Sequence, residues 1–148
     1  EISECLVGSE MCIRDRSADR GVVFQTPTLY PWLNIYQNVE YGPKMRKVPK
    51  DEREAGVKKY LELVGLKDFA KQKPYELSGG MKQRASLARV LVNQPKMILM
   101  DEPFTGLDAD TRQLTIDLVK ELCAGKLLIA ATHSEDDAEL LGAKIIHL

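Results

Sequence analysis

The chain has 148 residues, 44% of them hydrophobic and 29% charged, with a formal net charge of −1. That size fits one domain with a modest core, and the near-zero charge argues against broad binding to nucleic acid or to an anionic membrane. No apolar run approaches the ~18 residues that span a bilayer.

Residues 1–16, EISECLVGSEMCIRDR, show neither strand alternation nor a helical stripe, and they lack the marks of a signal peptide. They look like a translated adapter sequence and read as a foreign segment; a native strand and loop is the competing reading. From Ser17 the pattern becomes regular. Gly21–Phe24 is a short apolar strand, and residues 25–34 form a loop punctuated by Pro27 and Pro31. Asn34 can cap a short helix reaching Tyr41, with Gly42-Pro43 as its stop. Asp51 can cap the next helix, in which Val57, Tyr60, Leu61 and Val64 share a face and Gly65 ends the run.

Leu66–Tyr75 is a short helix and loop. Ser78 caps a helix from Gly79 to about Asn93 that carries Ala85, Leu87, Ala88, Leu91 and Val92. Met97–Met100 is a continuous apolar run, the pattern of a strand buried on both faces. Asp110 or Thr111 starts a helix with Leu114, Leu118 and Leu122 on one side, and Gly125 stops it. Leu127–Thr132 is a second buried strand, Ser134 caps a helix to Leu141, and Ile145–Leu148 begins a further strand. The predicted class is α/β: a parallel sheet formed by residues 17–33 and 95–148, with an inserted helical subdomain over about 34–94.

Cys5, Cys12 and Cys123 have no metal-ligand spacing, and an odd count without a secretory signal points to free thiols in a reducing compartment. His133 and His147 are too few for a histidine-based metal site.

Four groups of residues carry chemistry. Asp101 and Glu102 follow an apolar strand, where groups at carboxyl ends of parallel strands meet ligands. Asp101 suits Mg²⁺, directly or through water, and Glu102 suits orienting and deprotonating a water. A surface Asp-Glu pair capping a loop competes with this reading. Ser78, Gly79 and Gly80 open a helix, so hydroxyl, amides and helix dipole can face an anion; a plain Ser-capped helix is the alternative. His133 ends the neighbouring strand and can donate to a phosphate, or it is simply a satisfied polar residue. Gln25 can reach a metal or water with its amide oxygen, or it is an ordinary loop residue.

VVFQ, LSGGMKQR, ILMDEP, GLD and ATHS, in this order, resemble the ATP-binding subunits of ABC transporters, over residues 17–148. There the elements are the Q-loop, the signature motif, the Walker B strand with its glutamate, the D-loop and the H-loop. The resemblance implies a P-loop NTPase-type sheet with a helical signature subdomain. PWLNIYQNVEYG, GMKQR and DEPFTGLDADTR narrow it to importer ATPases for nitrate, sulfonate, taurine and related small oxyanions. Met81 for the usual glutamine, TGLD in the D-loop and Ser134 after His133 are minor departures.

The resemblance implies ATP and Mg²⁺ as cofactors. Asp101 would hold Mg²⁺ through water, with Gln25 sensing the metal. Glu102 would be the general base and His133 would contact the γ-phosphate. Ser78, Gly79 and Gly80 would bind the nucleotide of a second ATPase subunit, with Asp108 at that dimer interface. The stretch from Thr26 to about Tyr41 would form part of a groove for a membrane permease, fed by an extracytoplasmic binding protein. The subunit would sit on the cytoplasmic face of a bacterial inner membrane.

One departure is larger. The phosphate cradle GxxxxGK[ST] is absent, and so is the family's early adenine-stacking aromatic. In the family the cradle lies roughly 40 residues before the Q-loop glutamine. Only 24 residues precede Gln25. The expectation is an N-terminally truncated sheet, inactive alone, with exposed edges and poor solubility. Two other readings exist. ABC-type ATPases of DNA repair or chromosome maintenance carry long coiled coils between Q-loop and signature; here Leu77 follows Gln25 by 52 residues. A shortened, non-catalytic subunit is the third reading, and the foreign-looking start favours truncation over it.

Overall fold

A computed structural model describes residues 19–146. Residues 1–16, read above as foreign, lie outside this range, as do Cys5, Cys12 and His147. Three strands, β1 (Arg20–Val23), β2 (Met97–Asp101) and β3 (Leu127–Ala131), pair in parallel in the order β1-β2-β3. Between β1 and β2 run α1 (Ile35–Met45), α2 (Lys50–Leu63), two 3₁₀ turns (Lys67–Phe69 and Pro74–Glu76) and α3 (Gly79–Leu91). α4 (Ala109–Leu122) joins β2 to β3, and α5 (Glu135–Leu141) follows β3.

Strand alternation divides the sheet into two faces. Register aligns Gly21, Ile98 and Leu128 in one row and Val23, Met100 and Ala130 in another. This face packs on α3 and α4 through Leu87, Val90, Leu91, Ile116 and Val119. A second apolar cluster joins α1, α2 and α3 through Ile35, Val39, Val57, Leu61, Ala85 and Ala88. α3 serves both clusters, so the helix that begins at Ser78 ties the sheet to the inserted helices. At Gly21 a Cβ would sit 2.2 Å from Val90 Cγ1, so glycine is what lets α3 lie close to β1.

The structure corrects several expectations. The sheet's other face, with Val22, Leu99 and Ile129 in one row, is uncovered among the described residues; the apolar runs are therefore not buried on both sides. α1 passes through Gly42-Pro43 to Met45. Pro43 is buried there, and glycine at 42 is needed because a Cβ would lie 2.5 Å from Asn93 Oδ1. α2 has Pro49 at its cap, and Asp51 falls in the first turn, where it offsets the helix dipole without capping. α4 begins one residue earlier than expected, because Asp108 caps it. Its buried face is Thr115, Ile116 and Val119, whereas Leu114 is exposed. Residues 145 and 146 are not in a strand.

Candidate active site

Because the three strands are parallel, their carboxyl ends share one edge. Gln25 lies just past β1, Asp101 and Glu102 at the end of β2, and His133 just past β3. Glu102 has φ of 44°, in the left-handed region, which costs a non-glycine residue on the order of 1–3 kcal/mol. The bend is held by the Glu102 N–H donating to the Ala131 carbonyl (2.9 Å). It directs the side chain across to the turn after β3.

There Glu102 Oε1 accepts from the His133 backbone N–H (3.0 Å) and pairs with His133 Nδ1 (2.8 Å). The Thr105 hydroxyl donates to Oε2 (2.9 Å). The bond from His133, with help from Thr105, holds the Glu102 carboxyl below its ordinary range. The same bond raises His133 above its ordinary 6.5. The imidazole remains accessible, with its side chain 76% exposed against 22% for Glu102.

Asp101 and Gln25 are exposed, and neither side chain has a hydrogen-bond or ion-pair partner among the described residues. Both are therefore available to a ligand. No cluster of three or more His, Cys, Asp or Glu among the described residues could hold a metal by itself. Mg²⁺ is usually bound through one or two protein oxygens, with water and phosphate oxygens completing its shell. Asp101 and Gln25 thus fit an ion that arrives with a nucleotide, not a resident one.

The signature residues stand apart from this pair. Ser78 Oγ accepts from the Met81 N–H (3.3 Å) as the cap of α3, and Gly79 is open. Gly80 is buried, and a Cβ there would lie 2.3 Å from Thr111 Cγ2. Its lack of a side chain thus serves packing against α4 as well as any approach of an anion. Asp108 Oδ1 accepts from the Thr111 N–H (3.0 Å), which lowers its carboxyl pKa. No hydrogen bond or ion pair joins Ser78 or Gly79 to Glu102 or His133 among the described residues.

Several supporting residues escaped the sequence reading. Buried Gln83 donates from Nε2 to the Pro103 carbonyl (3.1 Å), tying α3 to the turn after β2. Arg89 donates to the Thr28 carbonyl (2.7 Å) and hydroxyl (2.8 Å), anchoring the loop after Gln25. Thr105, three residues beyond Glu102, could have been flagged by its spacing. Gln83 and Arg89 reach partners 20 and 61 residues away and leave no local signal. Between β1, that loop, α1 and α3 opens a cleft of about 480 Å³ whose lining includes Val22, Tyr30, Tyr41, Arg46, Arg89 and Asn93.

A parallel α/β sheet with a carboxylate–histidine pair at its carboxyl edge, and with a Ser-Gly-Gly helix start, is the layout that the resemblance to ATP-binding cassettes implies. The ABC transporter family model matches residues 6–105, and the chain belongs to that family. The taurine import ATP-binding protein TauB of Roseobacter denitrificans is 47% identical over 131 residues, 87% of this chain and 49% of that protein. An uncharacterised ABC transporter ATP-binding protein of Methanocaldococcus jannaschii, MJ0412, is 42% identical over 138 residues, 92% of this chain and 52% of that one. Among solved structures, the dimeric post-hydrolysis state of the ATP-binding cassette MJ0796 bound to ADP and Pi superposes with a TM-score of 0.72. It shares 36% identity over 82% of this chain and 55% of that one. The chain spans about half the length of the curated relatives it matches.

Proposed function

We propose that the chain is the catalytic-edge and signature portion of an ATP-binding and ATP-hydrolysing subunit of an ABC importer for a small oxyanion-type solute such as taurine, sulfonate or nitrate. The observation that carries the reading is the Glu102–His133 pair beside the free carboxylate of Asp101, at the carboxyl ends of adjacent parallel strands. Bound Mg-ATP supplies the scissile anhydride. Asp101 would hold the Mg²⁺ ion, and Gln25, just past β1, would supply an amide oxygen toward it. Glu102 takes the proton of the attacking water, and His133 orients the terminal phosphate.

Ser78, Gly79 and the backbone of Gly80 face the nucleotide of a second ATPase subunit, a second copy of this protein, with Asp108 at that interface. The dimeric cassette bound to ADP and Pi supports this arrangement by likeness. The cleft between the loop after Gln25 and α1 and α3 receives the permease, and solute specificity lies with the permease and its binding protein. No helix among the described residues is long and apolar enough to cross a membrane, in keeping with a peripheral subunit held by its partners.

A chimera tests the reading. Residues 19–146 replace the matching segment of a taurine importer ATP-binding subunit, and ATP turnover is measured with its permease. Turnover is expected, with Glu102→Gln lowering kcat by about 10²–10⁴-fold, the range for loss of a general base. The chain alone is expected to be inactive. An inactive chimera, or one indifferent to Glu102→Gln, sinks the proposal.

A further inference from the structure

Behind the turn that carries His133 lies a polar cluster with no part in the roles above. Asp137, in the first turn of α5, has a side chain only 7% exposed. Its Oδ1 accepts from Arg112 Nε (2.6 Å) and lies 2.5 Å from Arg112 Nη2, a charge-assisted contact with both nitrogens on one oxygen. Its Oδ2 accepts from the Thr132 hydroxyl (3.3 Å), and that hydroxyl oxygen accepts from the Ser134 N–H (3.1 Å). Arg112 Nη2 also donates to Ser134 Oγ (3.2 Å), which in turn caps α5. Thus the residues immediately before and after His133 are both clamped, and the clamp closes on an arginine in α4. Arg112 is itself anchored by its N–H donating to the Asp108 carbonyl (2.8 Å). No hydrogen bond joins the His133 ring to the cluster; its own bonds run the other way, to Glu102, and the Asp137 charge adds only a lesser pull that raises the imidazole.

We propose that Arg112 and Asp137 are positioning residues for His133. Their ion pair sets the Thr132–Ser134 turn so that the His133 N–H and Nδ1 both meet Glu102 Oε1. A buried carboxylate held by a planar guanidinium fixes orientation as well as distance, which a lysine in its place would not. Because Arg112 sits in the first turn of α4, one turn beyond Asp108, the same pair transmits any shift of that helix start to the Glu102–His133 contact. Its meaning for ATP hydrolysis rests on the reading above; the geometric claim does not.

The test is NMR on the 148-residue chain without nucleotide, following the His133 ring titration and the exchange protection of its amide. Glu102→Gln sets the scale for a lost contact. With Arg112→Gln the His133 midpoint is expected to fall toward its ordinary 6.5, and amide protection to drop. Charge alone predicts the opposite sign, since removing a nearby cation raises a histidine's pKa. Arg112→Lys, which keeps the charge, is expected to fall part of the way. A midpoint unchanged or raised in folded Arg112→Gln overturns the proposal. Should that variant not fold, Thr132→Val removes a single hydroxyl from the cluster; a smaller fall supports the proposal, and an unmoved midpoint overturns it. An inactive chimera alongside these NMR shifts would reject the ATPase reading and leave the positioning intact.

Discussion

Glu102 and His133 each change what the other can do. His133, raised in the folded chain, contributes stability that is complete below its ordinary 6.5 and fades as pH rises through the raised value. Glu102, lowered, contributes above its ordinary 4.5 and loses that contribution as pH falls through the lowered value. The two coexist fully between those bounds, and the pair weakens on the alkaline side as the imidazole loses its proton and on the acid side as the carboxylate gains one. With the imidazole so exposed, salt screens the attraction, and a titration reports it better than a stability curve. His133 is expected to titrate above 6.5, with Glu102→Gln returning it toward that value and added salt narrowing the difference. An ordinary midpoint in the unsubstituted chain would show that the pair does not form.

The two signature glycines separate by the same kind of residue-level argument. Gly79→Ala meets nothing within 4 Å and should change stability by less than about 0.5 kcal/mol. Gly80→Ala drives a methyl into Thr111 and should cost about 1–3 kcal/mol. Thr111→Ser, which removes the opposing methyl, should recover much of that loss in the double variant. Thermal unfolding of the four chains checks this; equal costs at 79 and 80 would contradict the packing.

At the scale of elements, the loop after β1 is held by Asn38 of α1, whose side chain is fully buried. Its Nδ2 donates to the carbonyls of Tyr30 (3.1 Å), Leu33 (3.2 Å) and Asn34 (3.0 Å), and its Oδ1 accepts from the Tyr30 N–H (2.8 Å). Asn38→Ala leaves the Tyr30 N–H and the Leu33 carbonyl without partners, while the Tyr30 and Asn34 carbonyls keep the N–H groups of Leu33 and residue 38; it should cost about 1–3 kcal/mol, read as a lower urea midpoint. The 26–33 loop should also exchange faster; a loss under about 0.5 kcal/mol would mean that water replaces the amide. Elements of this kind divide into legible and illegible by the reach of their signals. Ser78, Asn34 and Ser134 cap helices through bonds three residues long, so local sequence announces them. The strand ends that carry Asp101 and His133 are marked by apolar runs. Asn38 and the Arg112–Asp137 pair look like ordinary helix-surface residues, because their partners are fixed only when the chain closes. The stripe assigned to Leu114, Leu118 and Leu122 held only in part, with Leu122 packed on the core and Leu114 exposed, for a related reason. α4 meets both the sheet and Gly80 of α3, and that crossing turns Thr115, Ile116 and Val119 inward instead.

At the scale of the whole molecule, the sheet is covered on one side and open on the other among the described residues. Val22, Leu99 and Ile129 form one row of the open face, and Met97 and Leu127 lie in the next. Leu127 is 54% exposed and Ile129 50%. Contiguous apolar surface of this kind promotes association, and it joins the strand edges at β1 and β3. The chain on its own is therefore expected to bind a hydrophobic dye and to associate as its concentration rises, seen by sedimentation. Replacing Leu127 and Ile129 together with threonine keeps strand-compatible branching while removing apolar area. That variant should lower dye fluorescence by about 2-fold or more and shift the association to higher concentration, with little loss in unfolding free energy because both side chains are already wet. A monomer at every concentration, with no dye bound, would mean that the open face is covered in solution. A large loss of stability in the double variant would mean that these two residues pack where the sheet leaves them exposed.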